Sequence, residues 1–145
     1  MDERRESIEY LSHSSEETLR HGEAFGSLLC ENQVVAFFGD LGSGKTTFIK
    51  GIAKQICKVP LHSVVSPTFT YLHVYTGQVD IFHFDLYRIP SREAFIGLGF
   101  HEYLGKDGIC LIEWAEHISS LLPENTIHVN IETLSETSRK ISVVL

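Results

Sequence analysis

Eight consecutive residues constrain this chain more than any others: Gly39-Asp40-Leu41-Gly42-Ser43-Gly44-Lys45-Thr46. They satisfy G-x-x-x-x-G-K-[ST] at every position. The glycines let backbone N–H groups converge on one concave point with no Cβ in the way. The surroundings match the motif. Gln33 to Phe38 is a near-continuous apolar run, which suits a strand buried on both faces of a parallel sheet. Thr46 to Cys57 carries Phe48, Ile49, Ile52, Ala53 and Ile56 at helical spacing. Strand, glycine loop and helix in that order put the unpaired N–H groups of a helix start in front of an anion. Lys45 is expected to reach the β- and γ-phosphates of a nucleotide, and the Thr46 hydroxyl to bind Mg²⁺.

The remaining pattern extends the same architecture. Ser14-Ser15-Glu16-Glu17 has capping-box spacing and opens a helix carrying Leu19, Phe25 and Leu28-Leu29. After a turn at Ser66-Pro67, Phe69 to Val74 and Val79 to Phe84 read as strands joined through Thr76-Gly77. Ser91 caps a short helix, and a second lies near His101 to Leu104. Ile109 to Ile112 is another buried-strand run, Trp114 to Leu122 is helical up to Pro123, and Thr126 to Ile131 with Lys140 to Leu145 make an antiparallel pair. The predicted fold class is α/β: three layers, a mainly parallel central sheet and antiparallel additions. Residues 1–145 read as one domain of this kind, with no linker or repeat.

Composition narrows the function. Twelve basic residues against 19 acidic ones give a formal charge of −7, which argues against a free-standing nucleic-acid binder. The longest apolar runs are far below the roughly 20 residues a spanning helix needs. Met-Asp-Glu-Arg-Arg-Glu-Ser has neither the apolar core of a signal peptide nor the composition of a transit peptide. Cys30, Cys57 and Cys110 form no CxxC pair and read as small core residues, so a reducing cytoplasm is expected. The eight histidines show no metal-binding spacing, and His83, between Phe82 and Phe84, reads as a packing residue.

A nucleotide with its metal needs carboxylates at the ends of neighbouring strands. Asp85 follows Ile81-Phe82-His83-Phe84, and Glu113 follows Ile109-Cys110-Leu111-Ile112. One acid is expected at the metal and the other at the attacking water; spacing does not divide the roles. Ser66-Pro67-Thr68-Phe69-Thr70 reads on its own as a turn into a strand, although paired hydroxyls there could sense a γ-phosphate. Trp114 reads as a core or interface residue.

In combination, GDLGSGKTTF (39–48), SPTFTY (66–71), HFDLYR (83–88), GLGFHEYL (97–104) and LIEW (111–114) resemble the TsaE (YjeE) family of bacterial P-loop ATPases. The likeness runs from the Ser14 region to Arg139. It implies an ATPase that binds ATP and Mg²⁺ and hydrolyses ATP slowly alone. It implies docking on TsaD in complex with TsaB, which transfers threonylcarbamoyl to adenosine 37 of tRNAs reading ANN codons. Hydrolysis would reset that complex, and tRNA would be met only indirectly, with no membrane involved. Carried over by position, Gly39, Asp40, Leu41, Gly42, Ser43, Gly44, Lys45, Thr46 and Thr47 hold the phosphates. Thr46, Asp85 and Glu113 form the metal set, with Lys45, Asp85 and Glu113 catalytic. Ser66 and Thr68 fall in a switch-like segment, and Ser15, Thr18 and Arg139 lie where the family approaches adenine. Ala115 departs from the usual Pro after EW.

Two other readings use the same loop. A small-molecule kinase needs an Arg-bearing lid, and only Arg88, Arg92 and Arg139 follow the loop. A non-catalytic adaptor would use ATP to order the Ser66–Thr70 loop. A GTPase lacks its N-K-x-D segment here.

Overall fold

A computed structural model describes residues 5–40 and 42–145. Seven strands form one sheet in the order β1-β7-β6-β2-β5-β4-β3. They are β1 (Ser7–Ser12), β2 (Val34–Phe38), β3 (Leu72–Tyr75), β4 (Ile81–Asp85), β5 (Ile109–Glu113), β6 (Ile127–Thr133) and β7 (Arg139–Val144). β6, β2, β5 and β4 run parallel, while β7 and β1 add antiparallel at one edge and β3 at the other. The mainly parallel centre with antiparallel additions is therefore observed. Val34 to Phe37, Ile81 to Asp85 and Ile109 to Glu113 are buried along their length, as strands covered on both faces must be.

The covering layers differ. Helices α1 (Ser15–Gly26) and α2 (Lys45–Cys57) close one face around Phe25, Val35, Phe37, Phe48, Ile52 and Val129. Each such buried side chain contributes about 1.5–3 kcal/mol. The two helices cross backbone to backbone: a Cβ at Gly51 would run into the Leu19 carbonyl, and one at Gly22 into that of Phe48. The other face is closed by α3 (Arg92–Gly97) and by 3-10 turns at Phe100–Tyr103 and Ala115–Leu121, around Ala36, Phe84, Phe95 and Ile112.

Ser14 caps α1, its hydroxyl accepting from Glu17 N at 3.1 Å, and Ser91 caps α3 in the same way through Ala94 N. Several expectations need correction. α1 ends at Gly26, so Leu28 and Leu29 lie beyond it, and Leu28 is exposed. β3 begins at Leu72, because Tyr71 has φ +66°, and Phe69 projects into solvent. The Ala115–Leu121 segment is 3-10 in geometry and kinked at Ile118. Cys30 is exposed rather than packed; Cys110 is buried and Cys57 half-buried. Among the described residues, no helix is long and apolar enough to cross a membrane.

Candidate functional site

The parallel centre brings three strand ends to one edge of the sheet. β2 and β4 flank β5, and the register sets Phe37 and Asp85 on either side of Glu113. The glycine loop leaves β2 there and turns into α2. Gly39 has φ +144°, and a Cβ on it would strike the Ile131 carbonyl; Gly44, which precedes α2, has φ +105°. The turn is closed by Ser43 N donating to the Asp40 carbonyl at 3.0 Å.

An inner cleft of about 370 Å³ opens between loop and strand ends. It is lined by Gly42, Gly44, Lys45, Thr46, Thr47, Ser66, Thr68, Asp85, Glu113 and Trp114. The Thr46 hydroxyl lies 2.6 Å from Ser66 Oγ and 3.4 Å from Glu113 Oε1. Ser66 Oγ donates to Glu113 Oε2 at 3.1 Å. Asp85 accepts from the Thr68 hydroxyl and from Tyr87 N, both at 3.0 Å. The Ser66–Thr70 segment is thus tied to both acids, which its own sequence did not reveal.

Lys45 is only 5% exposed. Its ammonium donates to the Gly39 carbonyl and lies 3.9 Å from the centre of the Trp114 ring. Burial lowers its pKa, while the charges of Glu113, Glu116, Asp85 and Asp40 pull the other way. Trp114, half-buried with φ +59° and its ring beside Tyr87, both lines the site and packs against the core beneath it.

A second, outer cleft of about 330 Å³ shares Gly42, Gly44 and Thr47 and adds His13, Ser14, Ser15, Thr18, Glu136, Thr137 and Arg139. Here the loop meets the start of α1 and the turn between β6 and β7. Arg139 Nε donates to the Ser43 carbonyl at 3.0 Å and Nη1 to the Ser135 carbonyl at 2.9 Å, clasping the turn onto the loop. Thr18 is held by Ser12 Oγ at 2.7 Å.

The expected residues therefore divide. Gly42, Gly44, Lys45, Thr46, Thr47, Thr68, Asp85 and Glu113 converge on the inner cleft, and Ser15, Thr18 and Arg139 on the outer one. Gly39 and Asp40 line a separate depression with Glu116 and Glu132. Ser43 is buried, and its Oγ has no hydrogen-bond partner among the described residues. Leu41 lies outside the described residues. Sequence reading missed the part of His83, whose Nε2 is 2.8 Å from Glu113 Oε2.

A mainly parallel α/β sheet with a glycine loop at its carboxyl edge, a lysine and hydroxyl opening the next helix, and acids on adjacent strand ends defines a P-loop NTPase-like protein. Its kin can be specified further. Residues 12–141 match the family model described as "Threonylcarbamoyl adenosine biosynthesis protein TsaE", and the chain belongs to that family. It is 40% identical over 133 residues to the tRNA threonylcarbamoyladenosine biosynthesis protein TsaE of Treponema pallidum, covering 92% of this chain and 97% of that one. It is 32% identical over 136 residues to the TsaE of Bacillus subtilis, covering 93% and 84%. The crystal structure of Bacillus subtilis YdiB superposes with a TM-score of 0.78 at 28% identity, covering 96% of this chain and 85% of the other.

Proposed function

We propose that this protein binds ATP with Mg²⁺ and hydrolyses it slowly, and that hydrolysis resets a TsaD–TsaB complex between rounds of threonylcarbamoyl transfer to tRNA. The observation that carries this reading is the meeting of Lys45, Thr46, Asp85 and Glu113 at one cleft. A hydroxyl and two carboxylates are the hard oxygen donors that Mg²⁺ takes. Thr46, Asp85 and Glu113 would hold the ion, whose charge would offset that of the phosphates.

The chain's own groups supply the rest. The loop amides and the start of α2 receive phosphate oxygens. Lys45 exchanges the Gly39 carbonyl for an anion, a stronger, charge-assisted partner. Glu113 Oε2 is already engaged by Ser66 and His83, so Oε1 is the oxygen with capacity to orient or deprotonate a water. Asp85 is fixed by Thr68 and Tyr87. The outer cleft, with Ser15, Thr18 and Arg139, receives the nucleoside. Partner binding is supported by Phe69, 79% exposed at the crest of the Ser66–Thr70 loop, with the Arg88 guanidinium 4.6 Å from its ring centre. The acidic net charge fits a protein that leaves tRNA contact to its partners.

The same loop favours a second reading, in which ATP orders Phe69 for docking and hydrolysis is incidental. Phosphate release measured with and without purified TsaD–TsaB tests the first reading; stimulation is expected, and its absence counts against it. Glu113→Ala separates the two. Retained ATP binding with loss of repeated tRNA modification supports hydrolysis as the reset, whereas continued turnovers support the adaptor.

A further inference from the structure

Behind the inner cleft stands a hydrogen-bonded chain that lines neither cleft. His83, on β4, is fully buried. Its Nε2 lies 2.8 Å from Glu113 Oε2, and its Nδ1 lies 3.3 Å from the hydroxyl of Tyr75 at the end of β3. The register explains the meeting: His83 pairs with Leu111 on one side and His73 on the other, two residues short of the Asp85–Glu113 pair.

We propose that Tyr75 and His83 are a positioning pair for Glu113, holding Oε2 against the sheet so that Oε1 faces Thr46 and the inner cleft. This rests on the hydrolytic reading of Glu113 given above. A carboxylate only accepts hydrogen bonds, so Nε2 must carry the proton it donates. With Nε2–H as the donor, Nδ1 is the acceptor left on a neutral ring, and the Tyr75 hydroxyl is the donor that meets it. Burial pushes the Tyr75 phenol up to about 12, so that hydroxyl keeps its proton. Each polar atom of the ring is used once, and the ring is locked in one tautomer and one orientation. Ser66, the second donor to Oε2, is half-buried on the loop that carries Phe69; His83 is the donor fixed in a strand and fully buried. An apolar side chain of similar size could pack beside Tyr75, on the face of β4 opposite Phe82 and Phe84, but could not hold the carboxylate.

His83→Leu removes the donor and keeps bulk, and His83→Gln keeps an N–H donor of similar reach. In the phosphate-release assay, His83→Leu is expected to lower kcat by roughly 10- to 100-fold with KM for ATP little changed, the scale of a misplaced catalytic group. His83→Gln is expected to recover most of kcat, and Tyr75→Phe to lie between. Equal loss in the Leu and Gln variants, or a change in KM alone, overturns the proposal, because packing or binding would then explain the residue. Nitrogen-15 NMR of the histidines in the wild-type protein gives a reading independent of any variant's folding. An Nε2–H tautomer at His83 is expected, and an Nδ1–H tautomer overturns the proposal. Wild-type protein that releases no phosphate even with TsaD–TsaB defeats the hydrolytic reading and this one with it; active wild type with indifferent His83 variants defeats this one alone.

Discussion

The inner and outer clefts share the glycines of one loop and are built by opposite means. The inner cleft is made of strand ends. Its acids are buried, set by sheet register, and satisfied by Ser66, Thr68, Tyr87 and His83 before any ligand is considered. The outer cleft is made of the start of one helix and one hairpin turn, held to the loop by the side chain of Arg139. Chemistry that needs fixed geometry belongs in the first kind of site. Recognition that can tolerate adjustment belongs in the second.

That contrast can be broken or sharpened by substitution. Glu113→Ala should lower hydrolysis by roughly 100-fold or more while ATP affinity largely holds, since the handling of water is lost and Thr46 and Asp85 remain to hold the metal; isothermal titration alongside phosphate release checks both halves. Lys45→Ala should weaken ATP binding by roughly 10- to 100-fold, the scale of losing charge-assisted bonds to phosphate. Undiminished affinity would remove the inner cleft from nucleotide binding. Arg139→Ala should cost about 1 kcal/mol, or roughly fivefold, in ATP affinity. Tripolyphosphate, which has no nucleoside, should bind as before; an equal loss for both ligands would erase the distinction between the clefts.

Alkaline pH probes groups buried in the interior. Burial raises Cys57 to about 11, and its thiol donates to the carbonyls of Tyr75 and Val79; Tyr75 itself is raised to about 12. Cys110, on β5, is raised to about 12 for the same reason. The folded protein therefore holds these protons more tightly than the unfolded chain, whose thiols titrate near 9. Stability conferred below that pH is lost as pH rises through the folded values. Thermal melts should show a falling Tm from about pH 9 upward, and a flat profile would contradict the burial of these groups.

The inner cleft was largely legible in the sequence, because its parts are local. A glycine motif between an apolar run and a helical stripe, and two acids that end apolar runs, each declare themselves within ten residues or so. Adjacency of β4 and β5 followed from fold class. What stayed hidden depended on contacts across the sheet. The alternation of His83 with Phe82 and Phe84 looks the same whether its ring meets a carboxylate or a methyl group. Trp114 gives no sign that Lys45 will lie over it. β1 was not read as a strand at all: the alternation of Ile8 and Tyr10 is only one period long, and its backbone is satisfied by β7, distant in sequence. Cys30 was misread because apolar neighbours in sequence, Leu28 and Leu29, are not neighbours in a core.

The pairing of β1 with β7 has a consequence for synthesis of the chain. The first strand to leave the ribosome finds its partner only after almost all the others have been made, and Arg139, which opens that late partner, also fastens the phosphate loop. A nascent chain stalled before β7 would have its central strands yet lack one wall of the outer cleft, so the nucleoside side of the site should be the last part completed during translation.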